Sequence, residues 1–420
     1  MSDLTFNFNL TEHDTKIMRD LAARYFEAAY SDINNERWEL HRAVNDLNMI
    51  RPVVLLNEIP WSELIDHPEL QCQVQNEDLK GAEYYFRTKL FQWKYFPGDM
   101  VLEPYFPVWK RVNIGSIGIE VEEDTIATDE NNGIVSHEYH DMLATDEAVD
   151  ALHAPEVTYD EEATNREFFL LGEVFGDILP VKKVGQNRTY TMWDDISRYR
   201  GVTDLLMDLV MRPEFTHKLM RKMTDIQISI RDQFVEKNLF NPFATDLHCT
   251  CHKVSDLPSK DFDPAHVTAA DCWGRSTAQI FASVSPEMHE EFEIEYMKEV
   301  MEPFGLVYYG CCEPLHDKID IVEKLPHLRK ISITPWADVD VAAEKIGKKY
   351  VLANKPQPSN LSTPHLDKQV IKDELSHVLA ACKRNSCSVD IVLKDISSIG
   401  RNLQNLIDWE QTAMELVKSY

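Results

Sequence analysis

The sequence predicts an α/β fold built on a parallel sheet, and three observations carry that expectation. Through the second half of the chain, short apolar runs alternate with amphipathic stretches at intervals of about 20–40 residues, the pattern of βα units. Polar, aromatic and sulfur residues recur where the apolar runs end: Glu58, Asp271, Cys311, Cys312, Glu313, Trp336, Lys355, Gln357 and Asp395. No Gly-rich phosphate loop opens a helix, so the nucleotide-binding version of an open doubly wound sheet has no support. A (β/α)8 barrel brings its strand exits together on one face, which explains why the chemistry-bearing residues are scattered along the chain.

The elements follow in order. Residues 11–30 read as an amphipathic helix: Thr11 and Asp14 form a capping-box pattern, and Ile17, Leu21, Tyr25 and Ala29 share one face. Residues 51–58 read as the first buried strand, with Glu58 at its exit; 79–94 are helical and 100–103 form a second short strand. Residues 178–184 are a strand candidate, followed by a loop and two helices, 204–212 and 213–237. Residues 266–271 read as a strand ending at Asp271-Cys272-Trp273. Ser285-Pro286-Glu287 supplies an N-cap, a proline at the first helical position and an acidic first turn. The apolar face of that helix runs through Met288, Phe292, Tyr296 and Val300 to Gly305. Residues 306–309 are the central strand, broken at Gly310 and stopped by Pro314. There follow a helix at 319–325, a strand at 329–334, a helix at 339–347, a strand at 350–353, a helix at 368–383, a strand at 389–393 and a closing helix at 403–419.

Composition sets the outer bounds. The 420 residues are 44% hydrophobic and 27% charged, enough to bury a substantial core. A formal charge of −28 makes nucleic acid and anionic membranes poor general partners, while leaving room for a locally basic cleft. The first ten residues show no signal-peptide pattern, no run reaches the ~18 apolar residues of a membrane span, and the chain is expected to be cytoplasmic. Eight cysteines in a large hydrophobic chain read as metal-binding, reactive or buried thiols rather than disulfide staples. Residues 119–165 hold fifteen Asp or Glu and no Lys or Arg, and read as a solvated excursion, with His137 and His140 on its surface.

Cys311, Cys312, Glu313 and His316 offer thiolate, carboxylate and imidazole donors at the end of a buried strand, which suits a zinc-type site. Cysteines also fill space in cores, so that reading stands beside the metal one. His248-Cys249-Thr250-Cys251-His252 places four donors within five residues. On an extended segment alternate residues face opposite ways, so only His248 with His252, or Cys249 with Cys251, would point together.

Asp271-Cys-Trp-Gly, Ser285-Pro-Glu-Met-His-Glu-Glu-Phe and the strand at Val307 together resemble the uroporphyrinogen decarboxylase superfamily. Asn354-Lys-Pro-Gln-Pro falls where that superfamily carries a Gly-Asn-x-x-Pro-like turn. The resemblance covers residues 177–420 and implies a (β/α)8 barrel, here with an N-terminal helical extension at 1–50, a barrel over 51–420 and the acidic insertion at 119–165. The decarboxylase branch carries an arginine-rich N-terminal motif for its substrate's carboxylates. This chain has Asn57-Glu-Ile-Pro-Trp61 there. The resemblance to the zinc-dependent methyltransferase branch is greater, and implies Zn²⁺ and a corrinoid carried on a partner protein. That branch places His-x-Cys after the central strand and a further Cys near the last one. Here Tyr309 takes the His position, Cys311 the Cys position, and the last strand ends in Lys394-Asp395.

These readings give an expected site. Cys311, Cys312, His248, Cys249 and Cys251 are the candidate metal ligands. Glu58, Glu313 and Asp395 serve as general acid or base if burial raises them. Asp271, Trp273, Trp336, Lys355 and Gln357 are the candidate substrate contacts: the tryptophans as walls or cation–π surfaces, Lys355 for a carboxylate or phenolate. The plain alternatives are packing for the tryptophans, a neighbouring acid for Lys355 and loop bracing for Asp271. Three functions stay open: a corrinoid-linked methyltransferase acting on a small molecule, a metal-dependent decarboxylase or lyase of a small carboxylate, and a non-catalytic barrel. A homodimer is compatible with each.

Overall fold

The computed structural model describes residues 8–127, 135–243 and 247–420. The first seven residues and 128–134 of the acidic excursion lie outside the described residues.

The chain is organised around a seven-stranded, all-parallel sheet. We number its strands β1 (Val53–Leu56), β2 (Thr189–Tyr190), β3 (Trp273–Ser276), β4 (Leu306–Tyr309), β5 (Leu328–Ile333), β6 (Val351–Asn354) and β7 (Ser388–Leu393). Their spatial order, β1-β7-β6-β5-β4-β3-β2, follows the sequence, with β1 beside the last strand rather than beside β2. That order is compatible with a barrel-like α/β fold, whose seam would lie between the edge strands β1 and β2. The expected strand at 100–103 does not form. At the seam the Asp99 N–H donates to the Val54 carbonyl at 2.7 Å, and the Asp99 carboxylate accepts the Val54 N–H at 2.9 Å.

Two further expectations shift. The strand near 178–184 is Val181–Val184, paired with Phe106–Trp109 in a separate two-stranded sheet. The main sheet instead takes Thr189–Tyr190 from what reads as loop. Residues 266–271 are not a strand: Asp271 accepts the Thr268 N–H and hydroxyl, bending the chain into a 3₁₀ turn at Ala269–Asp271. Trp273 therefore begins β3 rather than leaving a strand.

Side chains alternate across the sheet, as strand geometry requires. Val54, Leu56, Val307, Tyr309, Ile331, Ile333, Leu352, Ile391 and Leu393 join the main apolar core beneath the helices. Val53, Leu55, Trp273, Leu306, Tyr308, Val351, Ala353 and Val392 face the other way. Against this inner face lies the segment carrying Leu247, Cys249, Cys251 and Val254. The helix Asp32–Asn45 adds Val44 to it, and Asn45 donates to the Cys251 and Lys253 carbonyls. A second apolar cluster joins the helix Glu12–Ala29 to Glu77–Tyr95 and Glu161–Phe175, so the first helix packs onto later chain rather than standing apart. The acidic excursion carries an exposed hairpin, Glu123–Ala127 with Val135–Tyr139, in which His137 and His140 pair with Glu123 and Asp124. Leu143, Val149, Leu152 and Val157 anchor the rest of it in the main core.

Candidate active site at the strand exits

The strands run parallel, so their C-terminal exits share one end of the sheet. β1 exits into Glu58, β4 into Gly310, Cys311 and Cys312, β5 into Thr334 and Trp336, β6 into Lys355 and Gln357, and β7 into Lys394 and Asp395. A cavity of about 320 Å³ opens there, walled by Cys311, Cys312, Trp336, Lys355, Lys394 and Asp395 among others. Gly310 makes the turn into it: its φ is +98°, and a Cβ would stand 2.6 Å from Leu315 and 3.1 Å from Ser332. Four non-glycine residues near this mouth, Glu58, His248, Cys249 and Asp395, also hold left-handed φ values of 51°, 42°, 58° and 55°. Such conformations persist where surrounding structure over-determines them, and they concentrate at functional sites.

The sulfur atoms form the centre of the site. Cys311 Sγ lies 3.5 Å from Cys312 Sγ and 3.5 Å from His248 Nε2, and Cys312 Sγ lies 3.4 Å from Asp395 Oδ2. Lys394 Nζ sits over both thiols, 3.7 Å from Cys311 and 3.6 Å from Cys312, and forms a close ion pair with Asp395. The Cys312 thiol is the strongest influence holding Cys311 well below the ordinary thiol range. Burial opposes it, and His248, Lys394 and Arg275 add to it. Cys312 is pushed up by that same partner and by burial. Burial alone would lower Lys394, but Cys311 and Asp395 raise it. Asp395 is held low by Lys394 against its burial, the reverse of what a general acid at neutral pH needs.

Glu313 turns away from the cavity. Fully buried, it accepts the Cys311 N–H at 3.0 Å and the Thr277 hydroxyl at 2.7 Å, bracing the thiol loop from behind. Burial pushes its carboxyl up. The structure thus replaces the expected catalytic role of Glu313 with a positioning one. Glu58 is exposed at the rim and accepts the Asp395 N–H at 2.8 Å.

Asp271 and Trp273 do not reach the mouth. They stand where β3 begins, at the opposite end of the sheet; Asp271 accepts from Ser259 and Thr268, and Trp273 Nε1 donates to the His252 carbonyl at 2.8 Å. Cys251 points into the sheet's inner face, 3.2 Å from Asp390, where burial raises its thiol to about 12. It is therefore not a ligand of the Cys311 centre. The alternation expected for 248–252 fails because His248 and Cys249 are both left-handed. The turn aims His248 at Cys311, while Thr250 donates to Asp390 at 2.5 Å. Lys394 and Thr334 belong to the site and were not among the expected contacts. Lys394 had a signal, its place beside Asp395 at a strand exit; Thr334 had none beyond preceding Pro335.

The donors suit a metal ion. Ligands of one tetrahedral ion bonded at about 2.0–2.3 Å stand roughly 3.3–3.8 Å apart, and the Cys311–Cys312, Cys311–His248 and Cys312–Asp395 separations of 3.5, 3.5 and 3.4 Å fall in that range. Among the described residues, the one group of three donors whose ligating atoms all lie within 4.8 Å of one another is Glu58, His248 and Cys249, whereas the Cys311 contacts are pairwise and run as a chain from His248 to Asp395. His248 belongs to both groups.

No protein-family model matches the chain, and no curated protein does. Among solved structures it is similar to a methyltransferase from Methanosarcina mazei, at 13% sequence identity and a TM-score of 0.48, over 90% of this chain and 98% of that one.

Proposed function

We propose that this chain is a metal-dependent methyltransferase that moves a methyl group between a small substrate and a corrinoid, on a (β/α)8 barrel closed through the residues following Gly98. The observation that carries the reading is the run of contacts at the strand exits in which Cys311, Cys312 and Asp395 wall the cavity and His248 meets Cys311 from beside it. Zn²⁺ would be held by Cys311, Cys312 and His248, with Asp395 or Glu58 completing the set. When bound it supplies Lewis acidity toward a substrate heteroatom.

The chain's own residues supply the rest. Glu313 and the Ser332 hydroxyl, which donates to the Cys311 carbonyl at 2.9 Å, fix the thiol loop. Lys394 neutralises charge on the sulfurs, and Pro335, Pro356, Pro358 and Trp336 exclude water from one wall. At about 320 Å³ the cavity admits a small substrate and not a corrin ring. In this reading the corrinoid approaches from outside the mouth, carried on a partner protein.

Two measurements on the purified protein test this reading. It should bind one zinc per chain, and Cys311→Ser should lose both the zinc and methyl transfer to reduced cobalamin, followed by its visible spectrum. A Cys311→Ser protein that keeps its zinc and turns over at the wild-type rate overturns the reading.

A further inference from the structure

In a chain of formal charge −28, four buried cations stand on the inner face and exits of the main sheet: Arg275, Lys330, Lys355 and Lys394. Two have carboxylates: Lys330 meets Asp390 at 2.8 Å, and Lys394 meets Asp395. Among the described residues, neither Lys355 nor Arg275 has a carboxylate within 4.0 Å. Lys355, 3% exposed, donates only to the Cys249 carbonyl. Arg275, 2% exposed, donates to the Thr189 hydroxyl at 2.7 Å, while its Nε and Nη2 have no partner. The two flank the Tyr308 ring, with Arg275 5.6 Å and Lys355 5.9 Å from its centroid. Asp390 acts on Lys355 from beyond 4.0 Å but is ion-paired to Lys330; buried cations without a paired carboxylate of their own are costly, so the arrangement points to an anion that arrives from outside.

Of the two, Lys355 reaches the cavity. Beside it is Thr334, whose buried hydroxyl has no partner and lines the same cavity. Asp395, the carboxylate on that wall, is already engaged by Lys394 and the Cys312 thiol. The remaining wall is Trp336, 66% exposed, with Pro335, Pro356 and Pro358, and the polar Gln357 and Ser359 beside them. One ammonium and one hydroxyl match the two oxygens of a carboxylate. A phosphate calls for more donors, and the wall offers no guanidinium fork for one.

We propose that the cavity binds a small monocarboxylic acid, its carboxylate on Lys355 and Thr334 and its apolar body against Trp336 and the prolines. The proposal names a substrate class for the methyl-transfer reading, and rests on that reading only in taking this cavity as the substrate site. Arg275 contributes through its field from beneath Tyr308 without touching the acid.

Calorimetric titration of the metal-free protein with benzoate and with benzamide, its uncharged isostere, tests the proposal without zinc or corrinoid. Benzoate should bind at least ~10-fold more tightly than benzamide. Lys355→Met should weaken benzoate by about 10- to 100-fold and leave benzamide unchanged, while Lys355→Arg should keep most of the benzoate affinity. Should Lys355→Met not fold, Thr334→Val carries the test, with benzoate weakened several-fold and benzamide, whose carbonyl is the weaker acceptor, weakened less. Equal binding of the two probes, undiminished benzoate binding in the variants, or absence of benzoate binding by the wild type each overturns the inference. Zinc binding by the wild type, measured separately, keeps the two claims apart. Zinc retained without benzoate binding defeats the acid site alone, and benzoate bound without zinc defeats the metal reading alone.

Discussion

At the scale of single residues, the site turns on one sulfur atom. Cys311 and Cys72 make a matched contrast: Cys311 is held low by Cys312, His248, Lys394 and Arg275 against its burial, whereas burial raises the exposed-face Cys72. A depressed thiol stays ionised as the pH falls, and the thiolate is the nucleophile. Iodoacetamide should therefore alkylate Cys311 of the metal-free protein at a rate almost flat from about pH 8 to about pH 6, while labelling of Cys72 falls nearly tenfold per pH unit. Peptide mapping after timed quenching reads both at once, and a Cys311 rate that tracks Cys72 would show that Cys312, His248 and Lys394 do not hold the thiolate. The sequence made Cys311, Cys312 and Asp395 legible because thiols and carboxylates at strand exits are chemically conspicuous. It hid the direction in which each side chain points. Glu313 lies two residues from Cys311 and faces backward, because its carboxylate closes onto the Cys311 N–H. Trp273 sits in the motif that carried the family resemblance and yet stands at the far end of the sheet.

At the scale of elements, the inner face of the sheet is tied to the segment at 247–254 by a buried ion pair. Lys330 on β5 donates to Asp390 on β7 at 2.8 Å, to the Thr250 hydroxyl at 2.9 Å and to the Cys251 carbonyl at 2.6 Å. Burial would raise Asp390, but Lys330 and Lys355 hold it low. A depressed carboxylate contributes stability above its unfolded pKa of about 4, and that contribution is lost as the pH falls through the lower folded value. Removing one partner strands a buried charge, so Lys330→Met should cost about 3–5 kcal/mol in urea unfolding at neutral pH, and the deficit should shrink in acid as Asp390 is protonated. Lys330→Met with Asp390→Leu should recover most of the loss. A single variant within about 1 kcal/mol of wild type would mean that the pair does not hold the segment in place. None of this was readable beforehand: Lys330 and Asp390 lie in runs that look like ordinary buried strands, and only strand pairing brings them face to face across β6. The short apolar runs placed β1 and β4 to β7 within a residue or two. They missed β2, whose two residues, Thr189 and Tyr190, are too few to make a run.

At the scale of the whole molecule, β1 and β2 are the two edges of the sheet, and the seam between them is where a strand partner is missing from each. The outward edge of β1 is capped by side chains as well as backbone: Asp99 accepts the Val54 N–H at 2.9 Å, and Gln92 donates to the Leu56 carbonyl at 2.8 Å. Arg51 in turn holds Asp99 with two bonds of 2.8 and 2.7 Å. A sheet edge kept by single side chains opens more readily than a strand paired on both sides, and native-state hydrogen exchange reads that difference. The Val54 amide should exchange faster than those of Leu352 and Ile391, which lie within β6 and β7. Asp99→Ala should speed it further while leaving the β6 and β7 amides protected. If Val54 instead exchanges as slowly as Leu352, and Asp99→Ala slows or speeds all three together, then the sheet opens only as one unit and its β1 edge is as strong as its interior. The outcome bears on the site, because Glu58 leaves β1 two residues past Leu56 and meets the Asp395 N–H across the β1–β7 pairing. A seam that opens locally would let Glu58 move relative to Asp395 while the thiol loop, braced from β3 and β5, stays fixed.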